Sequence, residues 1–77
     1  MPGNIVGPQI RRIRYKRGMT QDVLAARCGR SGLDISRGTL AKIEAQVRCV
    51  SDEELPVLAK TLGVKMEDLY PPKQRKA

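Results

Sequence analysis

The chain has 77 residues, enough for one domain with a small core, and its apolar (40%) and charged (30%) fractions favour a folded domain over a disordered one. Because it contains two Tyr and neither Trp nor Phe, the core must be aliphatic, which favours short crossed helices over a β-sandwich. The absence of His, with only two Cys and no CxxC pair, excludes the common metal sites and Cys/His or Ser/His catalysis, so we expect no enzyme activity, metal or cofactor.

The first predicted element is a helix that follows a short N-terminal segment. Residues 1–7 are rich in Gly and Pro and are expected to form a flexible arm. Pro8 suits the first position of a helix, where its missing N–H has no helical partner to lose. Ile10 and Ile13 then begin an apolar stripe, and Gly18 ends the helix.

A second helix is predicted over residues 21–28. Thr20 is a suitable N-cap, since its hydroxyl can accept a hydrogen bond from an unpaired backbone N–H of the first turn. Cys28 follows Leu24 by four residues and therefore lies on the same apolar face. We expect Cys28 to be a small core residue and the two cysteines to be reduced, as in the cytoplasm.

Gly29 and Gly32 are expected to separate this helix from a third. Ser36 can cap the third helix, which is predicted to run to about Gln46. Its apolar stripe has spacings of three and four and consists of Leu40, Ile43 and Val47.

The second half of the chain predicts two more helices. Ser51 and Glu54 have the spacing of a capping box at the start of a fourth helix, which Gly63 ends. Its apolar stripe consists of Leu55, Leu58, Ala59 and Leu62. A last short helix is predicted over 66–70, where two prolines close it and a basic tail over 71–77 begins.

Taken together, these elements predict an all-α fold in which about five short helices surround one core. The domain is expected to occupy residues 8–70, between the arm and the basic tail. Helices two and three, each capped and joined across glycines, have the order of a helix-turn-helix.

The net charge of +7 is distributed unevenly along the chain. Residues 1–48 hold ten basic and three acidic side chains, whereas residues 49–77 hold five of each. A polyanion such as nucleic acid is the natural partner of the basic half. The alternative is that these cations only solubilise a helical surface.

Between Gln9 and Pro71 the chain resembles the lambda-repressor-like, Cro/CI-type (XRE) helix-turn-helix regulators. The motifs that carry the resemblance are Ile10-x-x-Ile-Arg14, Gly18-Met-Thr-Gln21-x-x-Leu24-Ala25, Gly29, Ser36-Arg-Gly-Thr-Leu40-Ala-Lys-Ile-Glu44, Leu58-Ala-Lys-Thr-Leu-Gly-Val64 and Asp68-Leu69. The resemblance implies a cytoplasmic transcription regulator of bacterial or phage origin that binds double-stranded DNA as a homodimer and acts as a repressor.

The resemblance also implies that residues 36–46 form the recognition helix. By the family pattern Arg37, Gly38 and Lys42 occupy base-contacting positions, and Thr39 adds a methyl or hydroxyl contact. The helical wheel independently leaves a smooth exposed face, made of Gly38, Ala41, Lys42 and Ala45. The alternative is that the alanines are simply exposed helix formers.

Four residues are candidate contacts to DNA phosphates. Gln21 matches the family position that grips a phosphate at a helix N-terminus, although it is also consistent with a solvated first-turn residue. Ser36, Arg30 and Arg48 are further candidates. The two arginines, like the cations of the first helix, are unplaced phosphate contacts that are each equally consistent with plain surface.

The chain departs from the family in the turn between helices two and three, which is longer than usual around residues 30–34. This difference makes the transfer of the base-contacting roles less direct. We expect Leu33 and Ile35 to hold the longer turn against the core.

Two charged residues are placed by their spacing on apolar faces. Arg14 follows Ile10 by four residues, and Glu44 follows Leu40 by four. Because an unpaired charge inside is costly, we predict an Arg14–Glu44 salt bridge between helices one and three, which the resemblance also implies. The alternative is that each side chain reaches solvent separately.

Other functions remain open to a chain of this composition. The same fold can serve as an antitoxin or a protein-binding adaptor, with the neutral second half contacting a partner protein. A membrane-surface role for the basic first helix is disfavoured by the absence of Trp and Phe anchors, so we expect no membrane partner.

Overall fold

The structure is a computed structural model, and it describes residues 2–74. It has four α-helices in chain order, which are α1 (Gly7–Lys16), α2 (Gln21–Arg30), α3 (Arg37–Glu44) and α4 (Glu54–Leu62). Two short 3-10 helices follow at Met66–Leu69 and Pro72–Gln74, and no strand occurs within residues 2–74. The predicted all-α fold is confirmed.

The caps of α2 and α3 form as predicted. The hydroxyl of Thr20 accepts a hydrogen bond from the backbone N–H of Val23 (3.1 Å). The hydroxyl of Ser36 accepts one from the backbone N–H of Thr39 (3.1 Å). Each cap satisfies one of the unpaired N–H groups of a first turn and fixes where its helix begins.

The ends of these helices differ from the prediction. α2 continues through Gly29 to Arg30, and the chain turns instead at Gly32, whose φ is +92°. α3 ends at Glu44, because Gln46 adopts a left-handed φ of +65°. This turn directs Val47 to solvent, where 70% of it is exposed, so the prediction that Val47 continues the apolar stripe is wrong.

The reciprocal bonds of the predicted capping box form, since Glu54 N–H donates to the Ser51 hydroxyl (3.2 Å) and Ser51 N–H donates to the Glu54 carboxylate (2.9 Å). They close a turn before the helix, because α4 itself begins at Glu54 with Glu53 at its N-cap position. Gly63 ends α4 with a φ of +73°. The predicted last helix is a 3-10 turn, because Tyr70 precedes a proline and is held extended. A second 3-10 turn occupies part of the predicted basic tail, of which residues 75–77 lie outside the described residues.

One core lies between all four helices. α2 packs against α3 and α4, and α1 packs against α3 and the first 3-10 helix. The largest fully buried side chains are Ile10, Leu24, Leu40, Ile43, Leu58, Leu62, Leu69 and Cys28. Ile35 is buried and Leu33 packs against the same core, so the longer α2–α3 turn is anchored as predicted.

The N-terminal segment differs from the expected flexible arm. Gly3 N–H donates to the Gln46 carbonyl oxygen (2.7 Å), and the Asn4 side chain donates to the carbonyl oxygens of Ile43 (3.0 Å) and Arg48 (2.8 Å). Val6 is buried. Residues 3–6 therefore lie against the end of α3, while Met1 falls outside the described residues.

Candidate nucleic-acid interface

α3 presents one polar face to solvent while its other face packs into the core. Arg37, Gly38 and Lys42 are exposed, and Thr39 is half-buried. The opposite face buries Leu40 and Ile43 completely. Neither Arg37 nor Lys42 has an acidic partner among residues 2–74. Two unpaired cations thus lie on a helix whose position is fixed from behind.

A groove of about 690 Å³ opens beside this helix. Arg37 and Ala41 of α3, with Ala45 directly after the helix, form one wall, and Gln21 at the start of α2 also lines the groove. Because two positions of the α3 wall are alanines, the helix surface is flat there and admits close approach of a large ligand.

Arg14 and Glu44 meet at the base of this groove. Arg14 Nε donates to Glu44 Oε2 (2.7 Å), and Arg14 Nη2 donates to Glu44 Oε1 (3.0 Å). The remaining Arg14 nitrogen, Nη1, donates to the Met19 carbonyl oxygen (2.9 Å). The hydrogen bonds to Glu44 raise the pKa of Arg14 above its ordinary value. Both residues are buried, so the structure brings together the two charges expected on the apolar faces.

Gln21 joins the same cluster. Its Nε2 donates to Glu44 Oε1 (3.1 Å), so one carboxylate ties α1 and α2 to α3. An amide nitrogen has two N–H groups, and the second remains available to a ligand in the groove. Gln21 therefore lines the groove with its amide held by Glu44.

Ser36 and Thr39 lie at the N-terminus of α3. The Ser36 hydroxyl donates to the Thr39 hydroxyl (3.1 Å) in addition to capping the helix. Its hydrogen-bonding capacity is thus largely used within the helix. The structure assigns Ser36 a role in fixing the start of α3, beside Arg37.

Arg48 and Arg30 lie elsewhere. Arg48 forms a two-pronged salt bridge with Glu54, with distances of 3.0 and 2.9 Å. The hydrogen bond from Arg48 lowers the pKa of Glu54, and the same bond raises the pKa of Arg48. Arg30 lines a separate shallow depression with Thr61 of α4. Neither residue lines the groove beside α3, so the structure does not group them with Gln21.

α1 contributes a second wall to the groove, which Arg11 and Tyr15 line. The sequence offered the cations of the first helix as phosphate contacts without placing them, and it missed Tyr15. The signal was available in the sequence, because these two residues are four positions apart and so share a helix face. Tyr15 is also one of only two aromatic residues in the chain, and the structure leaves 61% of it exposed.

The described residues offer no group of three His, Cys, Asp or Glu side chains that could hold a metal ion. Cys28 is buried, and burial raises the pKa of its thiol, whereas Cys49 is exposed. None of the helices within residues 2–74 has the length and apolar character needed to span a membrane.

Comparison with known proteins agrees with this geometry. A family model described as Helix-turn-helix matches residues 10–69, a span that includes α2, α3 and α4 entirely. The matched span also holds the groove residues, from Arg11 to Ala45. No curated protein and no solved structure matches the chain.

Proposed function

The chain belongs to the helix-turn-helix family of Cro/CI-type (XRE) DNA-binding transcription regulators, and on this premise we propose that α3 is the recognition helix of a sequence-specific reader of double-stranded DNA. The observation that carries the proposal is the exposed face of α3. It presents two unpaired cations and a flat alanine surface on a helix fixed from behind. Such a helix fits the major groove, where base edges are read.

Arg37 and Lys42 are the proposed base-reading cations. Arginine and lysine both donate to guanine N7 and O6, the acceptors that a guanine displays in the major groove. Gly38 supports close approach, because a Cβ at this position has no neighbour closer than 3.8 Å and the helix surface there is open. Thr39 is half-buried beside them and is the proposed methyl or hydroxyl contact.

Gln21 is the proposed phosphate contact. It lies at the first turn of α2, where the free backbone N–H groups and the helix dipole favour an anion. The hydrogen bond to Glu44 orients its amide toward the groove. A contact to the DNA backbone at this point fixes the register of α3 without reading sequence.

We further infer that the protein acts in the cytoplasm of a bacterium, or in a phage-infected cell, as a homodimeric repressor. α3 has eight residues and reads only a few base pairs, so a second copy on an adjacent half-site is needed for a specific operator. Occupying such a site is sufficient to block transcription. The expectation of a homodimer rests on the small number of base pairs that one α3 reads and on the membership of the chain in this family.

The proposal is tested with a duplex selected from random DNA by binding to this chain. Arg37→Ala and Lys42→Ala are each expected to weaken binding by about 1–3 kcal/mol and to relax preference at defined base pairs. Gln21→Ala is expected to weaken selected and scrambled duplexes alike, because it removes a phosphate contact.

Lys60→Ala, an exposed position on α4, is the matched control and should bind as the unaltered protein does. If the Arg37 and Lys42 variants kept the affinity and base preference of the unaltered protein, α3 would not be the recognition helix.

A further inference from the structure

The wall that α1 contributes to the groove holds none of the residues proposed to read bases. Arg11 and Tyr15 lie on this wall and line the same groove as Arg37 and Ala41. A duplex whose major groove receives α3 also brings a phosphate backbone against whatever borders that helix. The chemistry of the α1 wall therefore decides whether this wall binds the phosphate backbone or only lies next to it.

Tyr15 is exposed but held in place. The Arg14 guanidinium carbon lies 4.6 Å from the centre of the Tyr15 ring, and that of Arg11 lies 5.5 Å away. Because Arg14 is itself hydrogen-bonded to Glu44 and Met19, the ring packs against a guanidinium that the core holds in position. An exposed aromatic side chain that is already ordered loses little rotamer freedom when it binds a ligand.

The hydroxyl of Tyr15 is suited to donate a hydrogen bond to an anion. The guanidinium of Arg11, and to a smaller extent that of Arg14, lowers the pKa of the phenol, because nearby positive groups favour its ionised form. A more acidic hydroxyl is a stronger donor to a charged oxygen.

The charges around the groove also favour an anion. The carboxylate of Glu44 is occupied by Arg14 and Gln21. Asp22, in the first turn of α2, is the other acidic residue that lines the groove. Arg11 and Arg37 line the same groove. The exposed side chains of the groove therefore carry two positive charges against the one negative charge of Asp22.

We propose that Arg11 and Tyr15 form a second phosphate-binding site, contributed by α1, that grips the DNA backbone while α3 lies in the major groove. The guanidinium supplies charge and the phenol donates a directed hydrogen bond. The inference rests on the proposed function, because it needs DNA on the face of α3. It adds a contact that stabilises binding to every sequence equally.

The test compares Arg11→Gln and Tyr15→Phe with Arg12→Gln, a matched neighbour on α1 that does not line the groove. Binding to the selected duplex and to a scrambled duplex is measured over a range of salt concentrations. Arg11→Gln is expected to weaken both duplexes about tenfold and to lower the slope of log K against log salt by about 0.9.

Tyr15→Phe is expected to weaken both duplexes severalfold with an unchanged slope, because neither side chain is charged. Arg12→Gln should change the slope by clearly less than Arg11→Gln. Thermal melts of each variant are run alongside, and unaltered melting temperatures are expected because the replaced side chains are exposed.

Three results would overturn the inference. The first is equal behaviour of the Arg11 and Arg12 variants, with Tyr15→Phe binding as tightly as the unaltered protein. The second is a loss of binding that follows a fall in melting temperature. The third is a loss confined to the selected duplex, which would mean base reading. Two further results separate this inference from the proposed function. If the unaltered protein showed no preference for the selected duplex, both would be wrong. If Arg37→Ala lost that preference while the Arg11 and Tyr15 variants bound as the unaltered protein does, only the inference about α1 would be wrong.

Discussion

Arg14 and Glu44 place opposite charges in the packed interface between α1 and α3. All three nitrogens of the Arg14 guanidinium have acceptors, and both oxygens of Glu44 have donors. Burying either charge alone would cost several kcal/mol, so the pair is stable only because each satisfies the other. The position of α3 thus depends on two side chains that lie behind its exposed face.

A double-mutant cycle on Arg14→Met and Glu44→Leu tests this dependence. Each single substitution is expected to lower the free energy of unfolding by about 3–5 kcal/mol, because it leaves the partner charge buried and unpaired. The double variant should lose less than the sum of the two, as neither charge remains. Denaturant melts measure all four proteins, and strictly additive losses would show that the two side chains do not interact.

Among the elements, the N-terminal segment stands out because it serves as the cap of α3. Asn4 donates to two carbonyl oxygens at and beyond the end of that helix, while Gln46 donates back to the Asn4 carbonyl oxygen (2.9 Å). The Ile43 carbonyl oxygen also accepts a bond from the Gln46 backbone N–H (3.0 Å), so Asn4 gives it a second donor and ties the segment after α3 to the N-terminal segment. The segment also requires α1 to begin very close to α3 at Gly7.

Gly7→Ala tests how tightly these two elements are joined. A Cβ at Gly7 would collide with the Ile43 carbonyl oxygen, so the substitution is expected to lower the free energy of unfolding by about 1–3 kcal/mol.

Gly29→Ala is the matched control. Gly29 lies within α2 with no atom near the position of a Cβ, and alanine there should stabilise by about 0.5–1 kcal/mol. Denaturant midpoints of the two variants should therefore move in opposite directions. A shift of both midpoints in the same direction would mean that Gly7 does not pack against α3 as the structure has it.

At the scale of the whole molecule, the excess of positive charge has two consequences of opposite sign. The net charge of +7 repels itself within a small domain, which destabilises the folded state at low salt. The same charge attracts DNA phosphates, and this attraction also weakens as salt is added.

Raising the sodium chloride concentration is therefore expected to raise the melting temperature of the domain while it lowers its affinity for DNA. The logarithm of the binding constant should fall with log salt by about 0.9 for each phosphate contacted. Thermal melts and binding titrations over the same salt series measure the two effects. If melting temperature and affinity fell together, loss of folding rather than counterion release would explain the weaker binding.

The sequence alone predicted the features that depend on neighbouring residues. Thr20 and Ser36 cap their helices through hydrogen bonds that span three residues, and Ser51 and Glu54 form their box over the same distance. The apolar stripes at spacings of three and four likewise follow from the helical period. Most of the core and the outward face of α3 were therefore predictable before any tertiary contact was known.

The tertiary structure decided what depends on residues far apart in the chain. Asn4 meets groups some forty positions away, and the α1 wall comes to line the same groove as α3. The left-handed turn at Gln46, which ends α3 and exposes Val47, belongs to the same set. Apart from the Arg14–Glu44 pairing of α1 with α3, sequence spacing did not determine which helix faces which, because that choice is made by how the apolar stripes pack into one core.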